Sequence, residues 1–184
     1  MKNTQSLCLL LAITLLCSFA PADWIAFQNT EGNFKILFPR QPQQTEQDVE
    51  TGIGKLKVTL FMYQVDKYKD DNMLYGINVT NYPDTMISSD FKDEILDKFF
   101  AGSVSGAAKN IDGTVISQKK IKYKGYPGIS AKISFADKQG IMYMQMFLIN
   151  SRGYILEVGC EPKHDNNASI NKFFNSFALL NDKK

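Results

Sequence analysis

The sequence predicts an α+β fold: a mostly antiparallel β-sheet covered by α-helices, in the order ββββ-α-ββββ-α. Three observations carry this reading. Apolar residues recur at a period of two through eight segments, the pattern of strands with one buried face. Several links between those segments are short, polar and Gly-bearing, which suits hairpins. Two further segments change to a helical period and carry phenylalanine stripes able to cover the sheet.

The first two strands are expected at Trp24 to Gln28 and Asn33 to Pro39, around the turn Glu31-Gly32-Asn33. Pro39 has no N–H to donate and stops the ladder, while Phe38 anchors the strand end. Arg40 through Gly54 is polar, contains Pro42, Gly52 and Gly54, and reads as a loop inside one domain. Strands are then expected at Lys55 to Asp66 and Met73 to Tyr82.

Asp90 is a candidate N-cap with Asp93 in the first turn, and Phe91, Ile95, Leu96 and Phe99 repeat along one helical face. This helix is expected to end near Ala108. Its Gly102 and Gly106 have the spacing of close helix-on-sheet packing or of a fraying helix end. Four strands follow, Thr114 to Tyr123, Tyr126 to Ala136, Gly140 to Asn150 and Gly153 to Cys160, with turns at Asp137-Lys138-Gln139-Gly140 and Ser151-Arg152-Gly153. Asn167 then caps a closing helix whose stripe is Ile170, Phe173, Phe174 and Phe177.

Upstream of the domain, Lys2 precedes an apolar run from Leu7 to Cys17 and then Ala20-Pro21-Ala22. This is the pattern of an export signal cut after Ala22, giving a signal peptide at 1–22 and a single domain at 23–184. The run is shorter than the ~20 residues a spanning helix needs, so the chain is not expected to span a membrane. The expected location is the periplasm or outside the cell. Cys17 would become a lipid anchor under lipoprotein processing, but Thr14-Leu15-Leu16 lacks the small residue that processing prefers, so cleavage after Ala22 is the expectation.

Cleavage removes Lys2 and no acid, which lowers the net charge from +2 to +1. Near-neutrality argues against nucleic acid as a partner, because phosphate binding needs a clustered basic excess. Lys119, Lys120, Lys122 and Lys124 largely alternate with Ile121 and Tyr123, as on the wet edge of a strand. Cys8 and Cys17 leave with the signal, so Cys160 remains alone and no internal disulfide can form.

The single histidine, His164, restricts the catalytic options. Any Cys-His or Ser-His machine would have to use it, and with Cys160 it forms a weak metal or thiolate candidate in Cys160-Glu161-Pro162-Lys163-His164. Cys160 shares strand parity with Tyr154, Leu156 and Val158, which points its sulfur into the core. Met142, Met144 and Met146 share one strand face, a soft-sulfur row that could select copper(I) and that equally fills a sheet-helix core. Packing is the favoured reading of that row. Gly52-Ile53-Gly54 lacks the rest of either nucleotide fingerprint. Asn78-Val79-Thr80 and Asn167-Ala168-Ser169 match the glycosylation pattern, with Asn78 inside a strand. No catalytic residue, cofactor or metal is assigned.

The run Phe34-Lys35-Ile36-Leu37-Phe38-Pro39-Arg40-Gln41-Pro42, then Gly125-Tyr126-Pro127-Gly128 entering a strand, and the closing helix with Phe173, Phe174 and Phe177 resemble PsbP-like domains in their order. The resemblance spans Trp24 to about Leu179 and implies an α-β-α sandwich around an antiparallel sheet. The family includes an extrinsic subunit of photosystem II, a Ran-binding import factor and many exported bacterial proteins, and so implies binding and accessory roles. The expectation is an exported, non-catalytic accessory or binding module of the bacterial cell envelope, whose partner is an envelope protein or a small ligand. Candidate partner surfaces are the segment from Arg40 to Gly54 and the region of Tyr63, Lys67, Tyr68 and Lys69, where aromatics stand among charges. The alternatives are a carboxylate-dependent hydrolase and a copper(I) protein built on the methionine row.

Overall fold

A computed structural model of the chain describes residues 24–51, 54–66 and 70–181. The expected signal peptide, its cleavage after Ala22 and the lipidation question at Cys17 lie outside the described residues, as do Lys67, Tyr68 and Lys69. The elements run β1 Ile25–Asn29, β2 Phe34–Phe38, β3 Gln43–Thr51, β4 Gly54–Gln64, β5 Asn72–Asn81, α1 Asp93–Asn110, β6 Thr114–Tyr123, β7 Tyr126–Phe135, β8 Gly140–Ile149, β9 Arg152–Cys160, a 3-10 turn Pro162–His164, α2 Ala168–Asn175 and β10 Ala178–Leu179.

The expected fold class stands, and its element order gains two strands. Residues 40–54, expected as a loop, contain β3, which pairs antiparallel with β4. Its sequence lacks alternation because the strand is an edge exposed along nearly its whole length. Charge pairs replace burial in its pairing: Lys57 Nζ lies 2.9 Å from Glu46 Oε2, and Lys55 Nζ lies 3.0 Å from Asp48 Oδ2. The second addition, β10, is two residues long and pairs with β2.

Seven strands form one antiparallel sheet in the order β3-β4-β5-β9-β8-β7-β6, and β1, β2 and β10 form a small second sheet. Both faces of the larger sheet carry a covering layer, which on the α1 side lies over β6, β7 and β8. On one face, Phe34, Ile36 and Phe38 of β2 meet Ile170, Phe173 and Phe174 of α2 over Phe61, Tyr75, Ile77, Leu156 and Val158. Rings make much of this contact, including Phe38 against Phe173 at 5.3 Å and Tyr154 against Phe177 at 5.3 Å. The Tyr154 hydroxyl donates to the Gly32 carbonyl at 2.9 Å, fastening the small sheet to the large one.

On the opposite face, α1 packs Leu96, Phe100 and Val104 onto Ile129, Ala131, Met144, Met146 and Leu148. The buried stripe is Leu96, Phe100, Val104 and Ala108, a strict i, i+4 row. That corrects the expected face in part: Leu96 is buried as expected, but Ile95 is 44% exposed, and Phe91 and Phe99 only flank the cluster. The helix starts after Lys92 without a side-chain cap, so Asp90 is not its N-cap, while Asp93 and Glu94 supply the first-turn acids. Gly102 and Gly106 face open space, which removes the close-packing reading of their spacing. The cap of α2 is the expected one, with Asn167 Oδ1 accepting from the Ser169 and Ile170 N–H groups at 3.0 and 3.2 Å.

Candidate functional site

Strand register builds a groove beside α1. Gln118, Lys120 and Lys122 of β6 stand opposite Ala131, Ile129 and Pro127 of β7, and thus share the face beneath the helix. Three long polar side chains cannot pack into a helix stripe as Met144 and Met146 do, so α1, which lies over β6, β7 and β8, buries its apolar row on β7 and β8 and leaves a channel open between itself and the β6 side chains. It encloses about 600 Å³ between α1, β6 and the start of β7. Leu96, Phe100 and Ile129 give it an apolar floor, Asp93 and Asp97 one wall, and Lys120 and Lys122 the other.

The walls are not equivalent. Asp97 Oδ1 lies 2.6 Å from Lys120 Nζ and spans the groove from helix to strand. The hydrogen bond with Asp97 holds the Lys120 ammonium above its ordinary pKa. Lys122 makes no ion pair with the described residues, which leaves a cation at one end of an apolar floor. Gly128 lies at the groove's edge, and its missing Cβ makes room on the opposite sheet face, where a Cβ would collide with the Met146 carbonyl and the Phe147 ring. Volume, apolar floor and few convergent polar groups together are the features of a ligand site.

The other half of the same sheet face lies beyond α1. Glu157 of β9 stands between Gly76 of β5 and Met144 of β8, with its Oε2 accepting from Asn78 Nδ2 at 3.1 Å. Desolvation pushes its carboxyl up to about 7, against a partial opposing effect of the Asn78 hydrogen bond. The two positions directly across from it carry no second carboxylate.

The methionine row lies where α1 seats: Met144 and Met146 are buried with Leu96, Phe100 and Val104, and Met142 with Ala108 and Ile133. Cys160 is buried in the core of the α2 face, where desolvation pushes its thiol up to about 11. His164 stands at the surface instead, with Nδ1 3.2 Å from Asp71 Oδ1, beside a 220 Å³ hollow lined by Asp66, Asp70 and Glu161. The pair therefore faces in different directions. Tyr63 packs its ring on the edge of the α2-face core.

Sequence reasoning missed a cluster on the α2 face. Lys132 of β7 and Tyr143 of β8 stand opposite each other and converge on Asp165, in the link before α2. Lys132 Nζ lies 2.6 Å from Asp165 Oδ2 and 5.2 Å from the Tyr143 ring centre. Desolvation raises the Asp165 carboxyl, but hydrogen bonds from Lys132 and Tyr143 outweigh it and hold the group below its ordinary pKa. A second network joins Asn72 to Tyr75 at 2.7 Å and to Asn167 at 2.8 Å. Both networks tie the segment before α2 to the sheet, so their evident work is structural. The signal that could have found the first is a lysine and a tyrosine on adjacent strands at core parity.

Among solved structures, the chain is similar to cyanobacterial PsbP from Synechocystis sp. PCC 6803, at 11% identity over 88% of this chain and 95% of that one, with a TM-score of 0.57. A protein of unknown function from Pseudomonas aeruginosa is similar at 7% identity over 68% of this chain and 90% of that one, with a TM-score of 0.44. No protein-family model and no curated protein sequence matches the chain. The fold is PsbP-like, as the order of motifs implied. Among the described residues no helix is long and apolar enough to cross a membrane.

Proposed function

We propose that this chain is an exported, non-catalytic accessory or binding module of the bacterial cell envelope, and that the groove between α1 and β6 receives its ligand. The leader motivates the export, since Lys2, the apolar run and Ala20-Pro21-Ala22 form an address with a cleavage point. The groove carries the binding reading. It is large enough for a small molecule or a short peptide segment, apolar beneath, and lined by three lysines, of which Lys120 is neutralised by Asp97 and Lys122 makes no ion pair with the described residues. A ligand with an apolar body and an anionic end fits that arrangement, because the body covers Leu96, Phe100 and Ile129 while the anion reaches Lys122.

The rival chemistry is carboxylate-dependent hydrolysis, which in its paired form needs a second acid facing the first. Glu157 is the acid with the most suitable pKa, and Asn78 rather than a carboxylate is its partner. Broad substrate profiling of the chain from Asp23 separates the two classes. The binding reading predicts no turnover. Turnover abolished by Glu157→Gln, or by any other single carboxylate substitution, would replace it with the hydrolase.

A further inference from the structure

The layer over the larger sheet is half built. Helix α1 seats over β6, β7 and β8, whereas Val58, Leu60 and Met62 of β4 project from the same face and belong to none of the hydrophobic clusters formed by the described residues. Register places them opposite Thr80, Asn78 and Gly76 of β5, with Leu74, Ile155 and Glu157 alongside. All of these apolar side chains are partly exposed. On the far side, β3 contributes Gln47, Thr45 and Gln43, a polar rim.

The centre of this apolar patch is a carboxylate. Glu157 lies over Gly76, where even an added Cβ would sit 3.9 Å from Oε2, so nothing on β5 covers it. Its hydrogen-bond partner among the described residues is the neutral amide of Asn78, and no cation of the described residues lies within ion-pair distance. The other side chains that face it from β3, β4, β5, β8 and β9 are uncharged: Gln43, Thr45, Gln47, Val58, Leu60, Met62, Leu74, Asn78, Thr80, Met142, Met144, Met146 and Ile155. A carboxylate in such surroundings lacks a counter-charge that the fold itself does not supply.

We propose that this face docks an amphipathic helix of a partner protein, whose apolar stripe covers Leu60, Met62, Leu74 and Ile155 and whose single Lys or Arg within the stripe pairs with Glu157. Four strands at ~4.8 Å spacing leave room for one helix of ~10 Å diameter beside α1, which completes the layer as helices do on other sheets. Charge complementarity selects the cation. The chain's own leader is a poor occupant, because it joins at Trp24, which packs against Tyr75 and Lys172 on the opposite face.

A displayed library of 18-residue amphipathic helices, randomised at the central position of the apolar stripe, tests this against the chain from Asp23. Enriched peptides are expected to carry Lys or Arg at that position. Their binding should fall about tenfold or more on Glu157→Gln, and equally on exchange of the peptide cation for norleucine, with the two changes together no worse than either alone. Leu60→Asp should abolish binding, and Glu157→Gln preserves shape should that variant not fold. Failure to enrich any helix, enrichment without a cationic preference, or binding indifferent to Glu157→Gln would overturn the proposal. Ala101→Trp, which fills the α1–β6 groove, should leave this binding intact, so failure here and failure at the groove are separable.

Discussion

Lys132 Nζ lies 2.6 Å from Asp165 Oδ2, and the contact closes the link between β9 and α2 down onto the middle of the sheet. Both side chains are largely covered, and Tyr143 donates to the same carboxylate. The helix that carries Phe173 and Phe174 into the core is thereby held at its start by a charge pair as well as by the Asn167 cap and the buried Ile170.

Asp165→Asn should therefore cost about 1–2 kcal/mol at pH 7, the range of a partly covered, hydrogen-bonded ion pair. Because the folded-state pKa of Asp165 is lowered, its contribution is present above the unfolded value near 4 and is lost as pH falls through the folded value. Urea unfolding at pH 7 and at pH 2.5 checks this. The gap between variant and wild type should shrink at the lower pH.

Glu157 has the opposite sign. Its folded pKa of about 7 exceeds the ordinary 4.5, so the folded protein binds the proton more tightly than the unfolded chain does. Stability should fall as pH rises from about 4.5 to 7, by on the order of 1–3 kcal/mol. Glu157→Gln should match wild type at pH 4 and exceed it at pH 8, and parallel denaturation curves at the two pH values would refute this.

Cys160 is buried beside Val158 and Ile141, and desolvation raises its thiol to about 11. A disulfide reagent at pH 8 should label it slowly in the native protein and rapidly in denaturant. Cys160→Ala should cost roughly 1–3 kcal/mol and leave ligand capture at the groove unchanged.

For the methionine row, packing makes a definite demand. Met146→Ala should cost about 2–5 kcal/mol, whereas Met144→Leu with Met146→Leu should stay within about 1.5 kcal/mol of wild type. A copper(I) titration that shows no competition with a weak chelator agrees with packing. Stoichiometric capture lost in the double leucine variant would instead make the row a metal site.

Eight strands and both helices are legible in the sequence because burial of one face writes period two or 3.6 into most of them, and β6, which has no fully buried residue, keeps that period through half-buried Ile121 and Tyr123. Strand β3 is not legible because both of its faces are wet: Gln43 to Glu50 reads as a loop until Glu46 and Asp48 are seen across from β4 lysines. The face of α1 is only partly legible for a related reason. Of Phe91, Ile95, Leu96 and Phe99 the sheet buries Leu96, in a row with Phe100 and Val104, and the sequence alone does not choose between two equally regular stripes. The groove depends on β6 register against a helix formed by another segment, so no local pattern announces it. Glu157 reads alone as an ordinary solvent-facing acid, and its meaning appears only beside Gly76 and Asn78.

The central claim is that the α1–β6 groove holds a ligand. Its most direct test is capture from a fractionated extract of the source cells by the chain from Asp23, compared with Ala101→Trp and Lys122→Glu. The account predicts that a species retained by wild type is lost with Ala101→Trp and weakened about tenfold with Lys122→Glu, while both variants keep the wild-type circular dichroism. Equal retention by all three proteins would contradict it.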